Sequence, residues 1–156
     1  MAGKYGFRQI TSTQDIKSFI VDKIEAKKAE IVKHLCFIGE GCINAARQGG
    51  SYTDRTGNLR SSIGYVVVCD GKVVTLAGFE HVSTPDGNGK EGVEKGKQFV
   101  QDVANKYQSG IALIVVAGMN YAVYVHNKGY DVLDSAEMTA EREISRMLSQ
   151  LGIKNK

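Results

Sequence analysis

The stretch IGYVVVCDGKVVTLAGF, residues Ile63–Phe79, holds the strongest local structural signal in the chain. Its first part, Ile63 to Cys69, is a continuous run rich in β-branched residues, which predicts a strand. Asp70-Gly71 is a dipeptide typical of tight two-residue hairpin turns. Lys72 to Phe79 then reads as the returning strand. The sequence therefore places a β-hairpin near the middle of the chain.

Upstream of the hairpin, apolar residues recur at helical spacing and predict a long amphipathic helix from about Thr13 to Ala46. Hydroxyl side chains at 11–13, followed by an acid, are typical of a helix N-terminus, and Gly49-Gly50 is expected to end the helix. Gly39 and Gly41 indicate close packing or a bend. The apolar positions are Ile16, Ile20, Ile24, Ile31, Leu35, Ile38, Cys42 and Ala45.

Downstream of the hairpin, the sequence predicts a helix from Glu91 to Tyr107, a buried strand from Ile111 to Ala117, and a last helix. That helix is capped by Asp134 or Ser135 and reaches about Leu151. Its inward positions are expected to be Met138, Ile144, Met147 and Leu148. Two further segments stay open: Met119–Lys128, including Tyr121–Asn127, fits either helix or strand, and Leu133 is a candidate for a short edge strand.

This order of elements predicts an α+β fold, in which a long N-terminal helix and a C-terminal helix pack on a small, mainly antiparallel β-sheet. Residues 13–151 are expected to form a single domain. Residues 1–12 read as a flexible arm, 81–92 as a mobile glycine-rich loop, and 152–156 as a flexible end. The small sheet is expected to keep at least one open edge.

Composition sets the broad class. The chain has 156 residues, 42% of them hydrophobic and 24% charged, with a net charge of +3, all ordinary for a globular domain. No apolar run approaches the roughly 20 residues that span a bilayer, and the N-terminus lacks an apolar secretory core. Cys36, Cys42 and Cys69 show no paired spacing, so we expect reduced, buried thiols in a cytosolic setting.

Signals for chemistry are weak. Gly87-x-Gly89-x-x-Gly92 matches a dinucleotide fingerprint, but it follows a hairpin instead of a βαβ strand, so a plain loop is favoured. His34, His81 and His126 lack the converging partners of a zinc site. We therefore expect no catalytic residue, no cofactor and no metal, and no enzyme activity. The acids near the start of the last helix are explained by the helix dipole; they are Asp131, Asp134 and Glu137.

The connector YTDRTGNLRSSI, Tyr52–Ile63, carries more turn, hydroxyl and arginine residues than a plain link between helix and strand requires. Thr56 or Asp54 can cap a short helix, after which Gly57 and Asn58 turn the chain and Leu59 and Ile63 enter the core. Arg55 and Arg60 would then stay available for acids or phosphates.

The connector and the later stretch NYAVYVHNKG, Asn120–Gly129, together resemble the head–tail joining, or tail-completion, proteins of tailed bacteriophages. The family pattern runs roughly T-G-x-L-R-x-S-I, then Y-A-x-Y-V-E-x-G-T. The matching positions are Thr56, Gly57, Leu59, Arg60, Ser62, Ile63, Tyr121, Ala122, Tyr124, Val125 and Gly129. The chain departs from the pattern at His126, at Tyr130 after Gly129, and at Asp131–Asp134, where the family has a proline-phenylalanine entry to the last helix.

The resemblance implies a structural virion protein, assembled in the bacterial host cytoplasm and located at the head–tail junction. It would form a ring with copies of itself, for which six subunits is the expected number, between portal or adaptor proteins and tail proteins. DNA in the channel is a possible passing contact, and no membrane is involved. Candidate interface residues are Arg55, Arg60, Tyr121, Tyr124 and His126, and candidate residues of the contact loop are His81, Pro85, Asp86, Gly87, Gly89 and Glu91.

An alternative function is that of a small nucleic-acid-binding regulatory protein. Arg47, Arg55 and Arg60 would form its basic patch. The mild net charge permits nucleic-acid contact without arguing for it.

Overall fold

The computed structural model describes residues 5–8 and 10–153. The predicted arm at 1–12 and the predicted flexible end at 152–156 therefore fall partly outside the described residues. The helices and strands, in chain order, are α1 (Thr13–Gly49), α2 (Asn58–Ser61), β1 (Ile63–Cys69), β2 (Lys72–Gly78), α3 (Lys90–Ala104), β3 (Ile111–Ala117), α4 (Ala122–Asn127) and α5 (Asp134–Gln150).

The sheet has three antiparallel strands in the order β2-β1-β3, which confirms the predicted α+β class. The central strand β1 is buried from Ile63 to Val68, as expected for a continuous apolar run with neighbours on both sides. The hairpin turn is where the sequence predicts it, with positive φ at Asp70 and Gly71. A register irregularity lies between Val67 and Val68 on the β2 side.

Each face of the sheet is covered by a helix. On one face, Val66 and Val68 of β1 form a buried cluster with Val93 and Val100 of α3. On the other face, the later part of α1 passes over Tyr65. A Cβ atom at Gly39 would lie only 2.5 Å from the Tyr65 ring, so this glycine allows the close packing that the sequence suggested.

The chain divides into two compact units, which meet within α1. The first ends at Ile31 and the second begins at Val32; the single domain over 13–151 stays a prediction. In the first unit, α1 begins with a capping box: the Ser12 hydroxyl accepts from the Asp15 amide (3.0 Å) and donates to its carboxylate (2.6 Å).

The structure decides one segment that the sequence left open and corrects three local predictions. The open segment around Tyr121–Asn127 is the short helix α4, because its residues hydrogen-bond along their own backbone. Leu133 is no edge strand; it is the residue that precedes α5. Met138, expected to point inward, is 71% exposed, whereas Met147 is buried. Helix α3 ends at Ala104, before the predicted Tyr107.

Candidate functional site

The connector folds as a compact joint around α2. Gly57, in the left-handed region at φ 74°, holds the N-cap position. The Asp54 carboxylate accepts from the Arg60 amide at 2.8 Å, and the Thr56 hydroxyl accepts from the Asn58 amide at 3.4 Å. Both predicted capping residues thus bind amides of the first turn. Leu59 is buried, as the sequence predicted.

The segment 81–89 is tied to this joint by hydrogen bonds. The Val82 amide donates to the Ser61 hydroxyl at 2.8 Å, and the Gly89 amide donates to the Thr56 carbonyl at 3.2 Å. The Thr84 hydroxyl donates to the Arg55 carbonyl. The predicted mobility of 81–92 stays a prediction, but these bonds restrict the segment, and Glu91 belongs to α3.

The glycines of the fingerprint-like sequence have a packing role. A Cβ at Gly87 would lie 2.6 Å from the Thr56 carbonyl oxygen, and one at Gly92 would collide with the Asn58 carbonyl. The Asn58 side chain also accepts from the Gly92 amide, at 3.2 Å. These glycines therefore allow backbone to approach backbone. The shallow polar pocket beside them is lined by three carboxylates, Asp86, Glu91 and Glu94, and by one cation, Lys90, so its net negative charge would repel a phosphate.

Arg60 is engaged inside the chain, contrary to the expectation that it stays available. Its guanidinium lies 5.1 Å from the centre of the Tyr52 ring and donates to the Gly50 carbonyl at 3.2 Å. Tyr52 is only 6% exposed, and burial raises the pKa of its phenol to about 12. Sequence reasoning did not identify Tyr52 as the residue on which the Arg60 guanidinium stacks. The available signal was an aromatic residue at the start of a connector that carries arginines.

The three arginines of the predicted basic patch differ in surroundings. Arg47 pairs with Glu80 at 3.0 Å and donates to the Ile63 carbonyl at 3.4 Å. Arg60 is held on Tyr52, and Arg55 is exposed. Of the three, Arg55 presents its side chain most openly to solvent.

The aromatic stretch meets the connector. Tyr52 and Leu59 from the connector share one buried cluster with Met119, Ala122 and Val132. In addition, the Tyr121 side chain hydrogen-bonds the Thr56 side chain, and burial is the main reason that the Tyr121 pKa is raised. The two motifs that carry the phage resemblance are thus one packed unit, although about sixty residues separate them.

The other candidate residues of the stretch lie on the surface of α4. Tyr124 is 62% exposed and has the Lys128 ammonium 4.6 Å from its ring centre. His126 Nδ1 lies 3.6 Å from an Asp134 carboxylate oxygen. Neither side chain takes part in the buried cluster, so both stay candidates for contact with another molecule.

An open apolar groove of about 540 Å³ runs beside the end of β3. Val115–Gly118 line it, Phe99 of α3 flanks it, and Asp134 and Glu137 of α5 add carboxylates. Sequence reasoning did not find this groove, because its lining comes from four elements, α3, β3, α4 and α5, which are separate in sequence. Within the described residues, β3 pairs only with β1, so its other side is an open edge.

The described residues hold no group of three or more histidine, cysteine or acidic side chains able to bind a metal ion. Over the same residues, none of the helices has both the length and the apolar character needed to cross a bilayer. The cysteines Cys36, Cys42 and Cys69 are all unpaired thiols, of which only Cys42 is fully buried.

Comparison of the chain with models of known protein families, with curated proteins and with solved structures found no match.

Proposed function

We propose that this chain is a structural subunit of a tailed-phage particle and forms a ring with copies of itself at the head–tail junction. The observation that carries the proposal is the shared cluster of Tyr52, Leu59, Met119, Ala122 and Val132. Through Leu59 and Ala122, one matching position from each motif, it joins the connector and the aromatic stretch on which the resemblance rests. Two degenerate motifs that pack as one unit support a family relationship better than either does alone.

The surface of α1 supports assembly. In the first unit, large apolar side chains are exposed along the helix: Ile16, Phe19, Ile20, Val21 and Ile24 are 45–62% exposed. An exposed apolar stripe of this kind marks an interaction surface. A ring subunit has such surfaces on both flanks, because heterologous contacts that close by rotation use two different patches.

The alternative, a nucleic-acid-binding regulator, has less support from the geometry than the ring subunit has. Two of its three arginines are engaged with groups of the same chain, Arg47 with Glu80 and Arg60 with Tyr52. A phosphate-binding patch requires several cations that are free to converge on the backbone of the nucleic acid.

The proposal is tested in a phage that carries this gene. A nonsense mutation should leave heads and tails intact but unjoined, because a joining protein supplies surfaces and no chemistry. Electron microscopy of the lysate should show separate heads and tails, with few infectious particles. Normal assembly of particles without the gene product would refute the proposal.

A finer test uses two matched variants of exposed positions. Ile20→Ser removes part of the α1 stripe, and Met138→Ser, on the 71% exposed Met138 of α5, is the control. Both should leave stability within about 0.5 kcal/mol of the wild type, as surface changes usually do. Only Ile20→Ser should reduce the yield of joined particles in complementation. Equal complementation by both variants would remove the stripe from the interface.

A further inference from the structure

The open edge of β3 borders the groove described above at its C-terminal end, where Val115–Gly118 line the groove; Leu113 lies on the same edge, just outside the lining. The Asp70 amide donates to the Gly110 carbonyl, and the Gly118 amide donates to the Ser62 carbonyl. These two bonds, one at each end of β3, determine which β3 residues hydrogen-bond to β1. By the alternation of an antiparallel ladder, Leu113 and Val115 direct their backbone N–H and C=O groups away from β1. An apolar edge strand with unpaired backbone groups is a template for a further strand.

Two walls of the groove come from opposite faces of the sheet, and α4 adds Ala122, Val123 and His126 to the lining. Phe99, 46% exposed, belongs to α3, which packs on the Val66 face. Asp134 and Glu137 belong to the first turn of α5. Helix α5 lies against the later part of α1, on the Tyr65 face, since the Thr139 methyl group would be 3.7 Å from a Cβ at Gly41. An added strand would thus meet an apolar, aromatic wall on one side and an acidic wall on the other.

The chain itself contains a segment with the matching pattern. In Tyr5–Arg8, two aromatic residues alternate with a glycine and an arginine, and all four residues are exposed. Tyr5 and Phe7 have essentially their full surface in solvent. In an extended strand, Tyr5 and Phe7 point to one side, and Gly6 and Arg8 point to the other. The aromatic side matches the wall with Phe99, and Arg8 matches the wall with Asp134 and Glu137.

We infer that Tyr5–Arg8 of a second copy adds as an extra strand to the open edge of β3, with Tyr5 and Phe7 against the Phe99 wall and Arg8 beside the acids of α5. Backbone hydrogen bonds supply affinity and alternate side chains supply specificity, as in other strand-addition complexes. This inference rests on the proposed function in one respect, that the chain assembles with copies of itself. It identifies the surfaces that link one copy to the next.

The direct test uses the full-length Tyr5→Ser/Phe7→Ser variant as the receptor, because its own arm can no longer compete. The probe is a synthetic peptide of residues 3–11, blocked at both ends, and the control peptide has serine at positions 5 and 7. Binding is followed by NMR through the backbone amides of the receptor. We expect saturable shifts at Leu113 and Val115, with the control peptide weaker by about a hundredfold, at roughly tenfold per aromatic ring.

A charge exchange tests the acidic wall in the intact chain. Arg8→Glu should weaken self-association in sedimentation equilibrium, and Glu137→Arg in the same chain should restore it, since opposite charges then face each other again. Glu137 is exposed, so its replacement leaves the fold intact. Absence of rescue would overturn the assignment of Arg8 to this wall.

The outcomes separate this inference from the proposed function. If the peptide does not shift the β3 amides, or if both peptides bind equally, the inference fails, while rings of the wild-type chain would still support the proposed function. If the peptide binds but the wild-type chain stays monomeric at every concentration, the occupant is not a second copy and the inference also fails. A chain that is monomeric and absent from purified particles contradicts the proposed function itself.

Discussion

The two halves of α1 have the same apolar spacing but opposite burial. In the first half, Ile20 and Ile24 are each 50% exposed. In the second half, Leu35, Ile38 and Cys42 are 6%, 4% and 0% exposed. An amphipathic period therefore predicts a helix with an apolar face, but it does not say whether the same chain covers that face. The exposed apolar face of the first half is the surface that the proposed assembly would cover.

Hydrogen exchange should give the largest difference between the halves. An isolated helix is marginally stable in water, whereas a packed helix opens only with its surroundings. In dilute solution, amides around Ile20 should exchange at least about a thousandfold faster than those around Ile38, in line with several kcal/mol of extra protection. Hydrogen exchange detected by mass spectrometry gives the exchange rates of both regions. Equal protection in the dilute monomer would mean that the first half is already packed.

Substitution of one isoleucine in each half tests the same contrast by stability. Ile38→Ala should lower the free energy of unfolding by about 2–5 kcal/mol, because Ile38 is buried and a cavity remains. Ile20→Ala should change it by less than about 0.5 kcal/mol, as at other surface sites. Urea denaturation of both purified variants gives the two values. A similar loss of stability in both variants would show that Ile20 is packed as tightly as Ile38.

Local chemistry made much of the fold predictable. The Asp70-Gly71 turn, the apolar run of β3 and the cap at Ser12 depend on neighbouring residues, and the structure has each where the sequence indicated. Tyr121–Asn127 stayed open because an alternating pattern in a short segment fits strand and helix alike. Met138 was misplaced because helical period identifies a face without fixing how wide the buried part is.

The candidate site was less predictable, because it depends on contacts between distant segments. The residues next to Arg60 in the sequence do not indicate that its guanidinium stacks on the Tyr52 ring. The glycines at 87, 89 and 92 match a dinucleotide fingerprint, and the sequence favoured a plain loop, but it did not reveal their packing role. Glycine is required both where backbone approaches a ligand and where backbone approaches backbone, so the pattern alone does not separate the two cases. The groove beside β3 is lined by α3, β3, α4 and α5, and no single stretch of sequence shows that these elements come together.

The glycines of the buried half give a smaller, two-sided test. In Gly39→Ala the new methyl group would lie 2.5 Å from the Tyr65 ring. Such overpacking lowers the free energy of unfolding by roughly 1–3 kcal/mol. The higher helix propensity of alanine raises it by only about 1 kcal/mol. We expect a net loss of stability. In Gly41→Ala the nearest neighbour is the Thr139 methyl group at 3.7 Å, so the same gain of about 1 kcal/mol should appear as added stability. Thermal unfolding measures both signs, and stabilisation by Gly39→Ala would show that Tyr65 can move aside.

The smallest expected effect concerns the phenol that links the buried half of α1 to the sheet. Tyr65 donates a hydrogen bond to the Glu40 carboxylate at 2.9 Å. Burial, and then this bond, raise the pKa of Tyr65 above the ordinary tyrosine value of about 10. Above pH 10 the unfolded chain has therefore lost a proton that the folded chain still holds. The stability linked to this proton is complete below about pH 10 and declines as the pH rises further.

Tyr65→Phe removes both the hydrogen bond and the proton. At pH 7 the variant should be less stable than the wild type by about 1 kcal/mol, the usual net value of such a bond. Above pH 10 the wild type alone loses the contribution of Tyr65, so the gap between the two proteins should narrow. Tyr124→Phe, at a 62% exposed ring, is the control and should follow the wild type at every pH. Urea denaturation midpoints between pH 7 and pH 11 measure the gap. A gap that stays constant across this range would show that Tyr65 titrates alike in the folded and unfolded chains, so that contact with α1 does not hold its proton.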